Sequence, residues 1–223
     1  MIHAQQTVGE LAALSPAAVR VLEHYGIDFC CGGNQPLEAA CRGRHLAPEK
    51  VLGEIEAALR EPGAQTENWN AAPPDALIDH ILTRHHAYLR AEFPRLFGWL
   101  RAVQQAHGAR DGALLAELEQ VLAGLRQELE MHMHKEEFIL FPAIRRGDAW
   151  IGQPIAVMER EHESASRALR EIRRLTAHYQ PPEHACATYR TLWQALGELE
   201  QDLHVHIHLE NNILFPRALR GAG

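Results

Sequence analysis

His132-Met133-His134-Lys135-Glu136-Glu137-Phe138-Ile139-Leu140-Phe141-Pro142 is echoed, 74 residues further on, by His206-Ile207-His208-Leu209-Glu210-Asn211-Asn212-Ile213-Leu214-Phe215-Pro216. Each copy places a glutamate four residues after a histidine and closes on Ile-Leu-Phe-Pro. On an α-helix, positions i and i+4 are neighbours on one face, with Cβ atoms roughly 5–6 Å apart. An imidazole and a carboxylate presented together on two helices form a ligand set for a binuclear metal centre in a helical bundle.

Working outward, the apolar residues around each copy repeat at helical spacing. The pattern predicts four long helices near 75–106, 111–145, 154–178 and 183–213. Gly108 and Gly112, Gly147 and Gly152, and Pro181-Pro182 punctuate them. The stripes run Ile78, Leu82, His86, Leu89, Phe93, Leu96, Leu100, Val103; Leu118, Leu122, Leu125, Leu129, His132, Glu136, Ile139; Ile155, Met158, His162, Ala165, Leu169, Ile172; and Leu192, Leu196, Leu199, Leu203, His206, Glu210, Ile213. Long helices joined by short turns favour an all-α, antiparallel up-down four-helix bundle. His86 precedes His132 by 46 residues and His162 precedes His206 by 44, so the bundle reads as two copies of one helix pair.

The polar interruptions of these stripes carry the functional reading. Each helix has a histidine where a core residue is expected, and two also have a glutamate. A single core histidine is ordinarily a packing residue. Two buried carboxylates are different, because each costs several kcal/mol without compensation, and no lysine or arginine occupies a stripe position to neutralise them. Two metal ions would. His86, His132, Glu136, His162, His206 and Glu210 are therefore the candidate ligands. The absence of thiolate from the stripes argues against a cysteine-rich structural zinc site, and the His/carboxylate mixture suits non-haem iron or manganese. The simplest arrangement gives each ion two histidines, shares both glutamates, and adds an oxo or hydroxo bridge, leaving a position open for a small ligand. Glu128 and Glu161 read either as polar partners of the ligands and a path to the metals, or as plain solvated carboxylates. His134 and His208 lie about 200° around the helix from the ligands and should face away.

The front of the chain is a separate helical module. Domains are expected at 1–60, with a Pro- and Gly-rich linker over 61–74 and the bundle over 75–223. Thr7 to Glu10 fits a capping box, Ser15-Pro16 a helix start and Gly26 a stop, with further helices over 36–43 and 48–60. Between them lies Asp28-Phe29-Cys30-Cys31-Gly32-Gly33. Adjacent Cα atoms stand about 3.8 Å apart, below the spacing a relaxed disulfide needs, so Cys30 and Cys31 suit redox exchange, metal binding or a bond to another chain. Cys41 and Cys186 are expected in helices and inert.

The bulk properties exclude several classes. No apolar run approaches the roughly 18 residues of a membrane span, and the first residues carry no secretory pattern. The net charge of −7 argues against a nucleic-acid partner. Four cysteines without framework spacing point to a reducing cytoplasm.

The chain resembles the bacterial iron–sulfur cluster repair di-iron proteins, which carry a hemerythrin-like domain. The matching residues are Asp28-Phe-Cys-Cys-Gly-Gly33, Asp79-His-Ile-Leu with His86, His132-x-x-x-Glu136, Met158-Glu-Arg-Glu-His162, and His206-x-x-x-Glu210 running on to Leu219. The resemblance implies a centre of two iron ions on the six residues derived above, and a cytoplasmic protein that restores iron–sulfur cluster proteins after nitrosative or oxidative damage. It also implies reactivity toward nitric oxide or oxygen, including nitric oxide reduction as a candidate enzymatic activity, and exchange chemistry at Cys30 and Cys31; a homodimer is compatible with it. The competing function is an oxygen or nitric oxide sensor. Oxygen-carrying hemerythrins differ where this chain has Ser166 and Asn211, which makes reversible oxygen carriage the weaker reading.

Overall fold

The computed structural model describes residues 2–60 and 69–221. Among these the chain is helical, with a single isolated bridge between Thr7 and Pro36. It forms two compact units: Met1–Asp79 with Gly147–Ile151 and His204–Gly223, and His80–Arg146 with Gly152–Leu203. Most of the linker expected over 61–74 lies outside the described residues.

In the first unit, α1 (Val8–Ala12) starts at the capping box: the Thr7 hydroxyl accepts from Glu10 N–H, and Glu10 accepts from Thr7 N–H. Ser15 caps α2 (Pro16–His24), whose proline at the first position needs no hydrogen-bond partner. Gly26 follows at φ 63°, a left-handed turn that suits glycine. α3 (Leu37–Arg42) and α4 (Pro48–Arg60) complete the module. Val8, Leu11, Leu22, Phe29, Leu37, Val51 and Ile55 form its core together with Ile207 from the last long helix. α10 (Phe215–Gly221) also belongs here, and Arg217 donates to the carbonyls of Trp69 and Ala72 at 2.7 and 2.6 Å.

The second unit is a bundle. After α5 (Pro74–His80) and a π-helical segment, Ile81–His86, comes α6 (Ala87–Lys135), 49 residues of helical backbone. Drawn straight it would span about 73 Å. Yet His86 Nδ1 lies 2.7 Å from Glu137, just past its far end, and Gln104 donates to Glu119 at 2.8 Å. So α6 reverses between residues 104 and 119, around Gly108 and Gly112, into two antiparallel arms. A π-helical Glu136–Leu140, then α7 (Phe141–Arg146), extend the second arm.

α8 (Gly152–Leu175) runs antiparallel to the second arm, pairing Ser164 with Glu128 and Arg174 with Glu117. α9 (Ala187–His208) returns along α8, where Arg173 grips Glu200, and along the first arm, where His85 meets Asp202. Four antiparallel segments thus close a ring around Leu89, Phe93, Leu118, Leu122, Leu169, Leu192 and Leu196.

Three expectations need correction. Ile139, assigned to the core stripe, is 49 % exposed, whereas Leu140 and Phe141 are buried. The π turn over Glu136–Leu140 adds a residue to the helical repeat and rotates everything after Glu136 by one position. The third helix stops at Leu175, not 178, because Ala177, His178 and Tyr179 all adopt positive φ (48°, 59° and 62°). Cys186 is exposed and precedes α9 instead of lying in a helix.

Candidate metal centre

Each of the six residues singled out by the stripes is buried, from 0 to 2 % exposed. In the second unit, His86 closes one π segment and Glu136 opens another. His86 Nε2 lies 3.3 Å from Glu136 Oε2, and His132 Nε2 lies 3.3 Å from Glu136 Oε1. One carboxylate is therefore flanked by an imidazole on each oxygen. His162, from α8, sets its Nε2 3.0 Å from His132 Nε2.

The far sides of two of these rings explain that geometry. His86 Nδ1 meets Glu137 at 2.7 Å and His132 Nδ1 meets Glu161 at 2.9 Å. A carboxylate only accepts, so both Nδ1 atoms donate to it, and Nε2 is the ring nitrogen turned inward toward Glu136. A carboxylate behind the ring is the common support of a metal-binding histidine. Glu161 is held down to about 2, first by the His132 hydrogen bond and also by Lys135. Burial pushes the Glu137 carboxyl up, but its bonds to His86 and Arg90 outweigh that and keep it below the usual range.

In the first unit, the last helix continues from α9 through a π-helical Leu209–Leu214. His206 Nε2 lies 3.0 Å from Glu210 Oε1, reproducing the His-Glu pair of the other copy. Two groups of buried side chains could each hold a metal ion: His86, Glu136, His206 and Glu210, and His132, Glu136, His162 and Glu210. Together they contain all six residues, and both glutamates occur in both groups.

The remaining site residues fall elsewhere. Glu128 accepts the Ser164 hydroxyl at 2.9 Å on an exposed face, while Glu161 supports His132. Cys30 is buried and Cys31 half-buried, and neither is in a disulfide. Asp28 Oδ1 accepts the backbone N–H groups of Cys30, Cys31 and Gly32 and the Cys30 thiol, at 3.0–3.3 Å. The Cys31 hydrogen bond, burial and the Asp28 charge raise the Cys30 thiol well above its ordinary value. That keeps it protonated and a poor nucleophile.

Sequence reasoning overlooked Glu137 and Asn212, assigned Asn211 no contact and set His208 aside as facing away from the ligands. Asn211 donates to Cys30 O at 3.4 Å, and Asn212 to Phe29 O at 3.0 Å and Cys30 O at 3.3 Å. Asn212 fits only because Gly9 and Gly33 lack side chains: a Cβ at either would stand 2.3–2.4 Å from its Oδ1. His208, off the ligand stripe, is buried against Phe29 and lowered to about 4 by burial.

Comparison with known proteins adds family context to this geometry. Residues 77–218 match the model of the hemerythrin HHE cation binding domain, and residues 4–59 match ScdA_N, a domain of unknown function. The iron-sulfur cluster repair protein YtfE of Yersinia pseudotuberculosis serotype IB (strain PB1/+) is 40 % identical over 225 residues, 99 % of this chain and 100 % of the relative. The same figures describe the protein of that name from Yersinia pestis (strain Pestoides F). Among the described residues no helix is long and apolar enough to cross a membrane.

Proposed function

The chain belongs to the hemerythrin HHE cation-binding family and, within it, to the iron-sulfur cluster repair proteins, and we propose that it restores iron–sulfur cluster proteins damaged by nitrosative or oxidative stress through a centre of two iron ions. The observation that carries this reading is the sharing of Glu136 and Glu210 by two buried His/Glu groups. Four imidazoles and two carboxylates fit the donor set of a non-haem iron pair, and among the described residues no lysine or arginine is buried beside them. His86 and His162 with His132 and His206 would hold the metals, and the two carboxylates would bridge them. When bound, such a pair supplies redox chemistry toward nitric oxide or oxygen and a source of ferrous iron.

The protein's own residues define what that centre can do. Glu137 and Glu161 fix the tautomers of His86 and His132, so the ligands are oriented before metal enters. Burial of all six excludes bulk water. Cys31, the more accessible of the vicinal pair, is the thiol positioned to exchange with a partner, and Cys30 the one held in reserve. Cysteines outside disulfides suit a reducing cytoplasm. The targets are iron–sulfur cluster proteins, reached either by iron donation or by removal of nitric oxide.

Purified anaerobically, the protein should contain two irons per chain and reactivate an iron–sulfur enzyme previously inactivated with nitric oxide. Repair without iron in the protein, or iron without repair, would overturn one half of this reading each.

A further inference from the structure

A second group of metal-type ligands lies at the end of the bundle where α6 reverses. His107 comes from the first arm, Asp111 from the reversal itself and His184 from the turn before α9. One ligand atom from each lies within 4.8 Å of the others, and all three residues are half-buried. His184 Nε2 meets Asp111 Oδ2 at 2.8 Å. The His107 ring centre is 5.9 Å from that of His184 and 5.1 Å from that of Tyr189. We propose that His107, Asp111 and His184 form a mononuclear site for a divalent transition-metal ion of the zinc or ferrous class, open to solvent and separate from the buried centre.

The chemistry follows from the donor set. Two imidazoles and one carboxylate with further positions open are the ligands of mononuclear zinc and non-haem ferrous sites. Calcium or magnesium would want oxygen donors throughout, and cuprous ion would want sulfur. The plain alternative is a structural hydrogen bond tying the α6 reversal to the turn before α9. That bond needs one imidazole, and here two converge on the same carboxylate. The Asp111 carboxylate already faces the His184 ring at 2.8 Å, so a cation would find an anionic ligand in place.

Exposure sets this site apart from the buried centre. The six inner residues are at most 2 % exposed, so their exchange requires the bundle to open. The outer three can exchange an ion without unfolding. The exposed thiol of Cys186 stands beside them, hydrogen-bonded to His107, at the margin of the site.

The test uses the full chain as purified, with its tightly held metal counted first. Titration with Zn2+ should then load one additional equivalent per chain, removable by brief chelation without loss of the inner metal. Asp111→Asn, which keeps the side-chain shape, should weaken that equivalent at least about tenfold, roughly 1.4 kcal/mol. His184→Ala should abolish it, with inner metal content and helicity unchanged in both variants. No additional equivalent in the unaltered chain overturns the site, and so does an equivalent that both variants bind with undiminished affinity. Either failure leaves the buried centre untouched, since the two rest on different residues.

Discussion

The two copies of His-x-x-x-Glu present the same ligands and differ in what surrounds them. Glu136 and Glu210 are both fully buried, each facing the histidine one turn earlier at 3.0–3.3 Å. The residue after each glutamate then diverges. Glu137 accepts from His86 and Arg90, whereas Asn211 donates to the Cys30 carbonyl. One position further, Phe138 is 67 % exposed while Asn212 is tied to Phe29 and Cys30. Ile139 is half exposed where Ile213 is 3 % exposed. On the proposed assignment the repeated residues serve the metal centre, and the varied ones decide what each copy is attached to. The first copy is attached to His86, the second to the cysteine module.

The largest effect should come from what the copies share. Glu136→Ala and Glu210→Ala each remove a carboxylate common to both buried groups, so each should lower metal content from two ions per chain to one or none. Metal analysis of anaerobic protein reads this directly. A full complement in both variants would refute the ligand assignment, and a full complement in only one would break the equivalence of the copies.

The next effect should come from the first copy alone. Glu137→Gln keeps the size of the side chain but removes the charge that orients His86. Loss of such support behind a metal-binding histidine costs about 10- to 100-fold in metal affinity. Chelator competition should show that loss for Glu137→Gln, with Asn211→Ala in the second copy changing metal affinity less than about threefold, near 0.7 kcal/mol. Equal losses would mean that Asn211 also acts on the centre.

Much of this was legible in the sequence. Helical spacing of apolar residues located all four long segments, and the polar interruptions named six side chains that prove buried and grouped. The errors share a physical origin. A π turn leaves no mark on a 3.6-residue pattern, so Leu82 and Ile139 were placed one position out, and Ile81 and Leu140 hold the buried places. The left-handed Ala177, His178 and Tyr179 contain no glycine or asparagine to announce them. His208 was expected to face away from the ligands, and it does leave their stripe. What no periodicity could reveal is that its side of the helix is covered by Phe29, far away in sequence. Such partners are set by the fold.

The smallest effects should appear where the copies differ most, one position beyond Glu137 and Asn211. Asn212→Ala takes the side-chain donor from the Phe29 carbonyl and leaves Asn211 alone on that of Cys30, a loss of about 1–3 kcal/mol. Phe138→Ala removes an exposed ring and should change stability by no more than about 0.5 kcal/mol. Urea unfolding followed by helicity measures both. Thiol alkylation gives a second reading, because the thiolate is the reactive form. Cys186 is exposed and has a lowered thiol value, set chiefly by the Tyr189 N–H and then His107, so its rate should level off at lower pH than that of a free thiol. Cys30, buried and raised, should stay nearly inert through neutral pH in the unaltered chain. Asn212→Ala should speed its alkylation while Phe138→Ala does not. If Cys30 remains equally protected in both variants, the second copy does not hold the cysteine module closed, and the contrast between the copies reduces to packing.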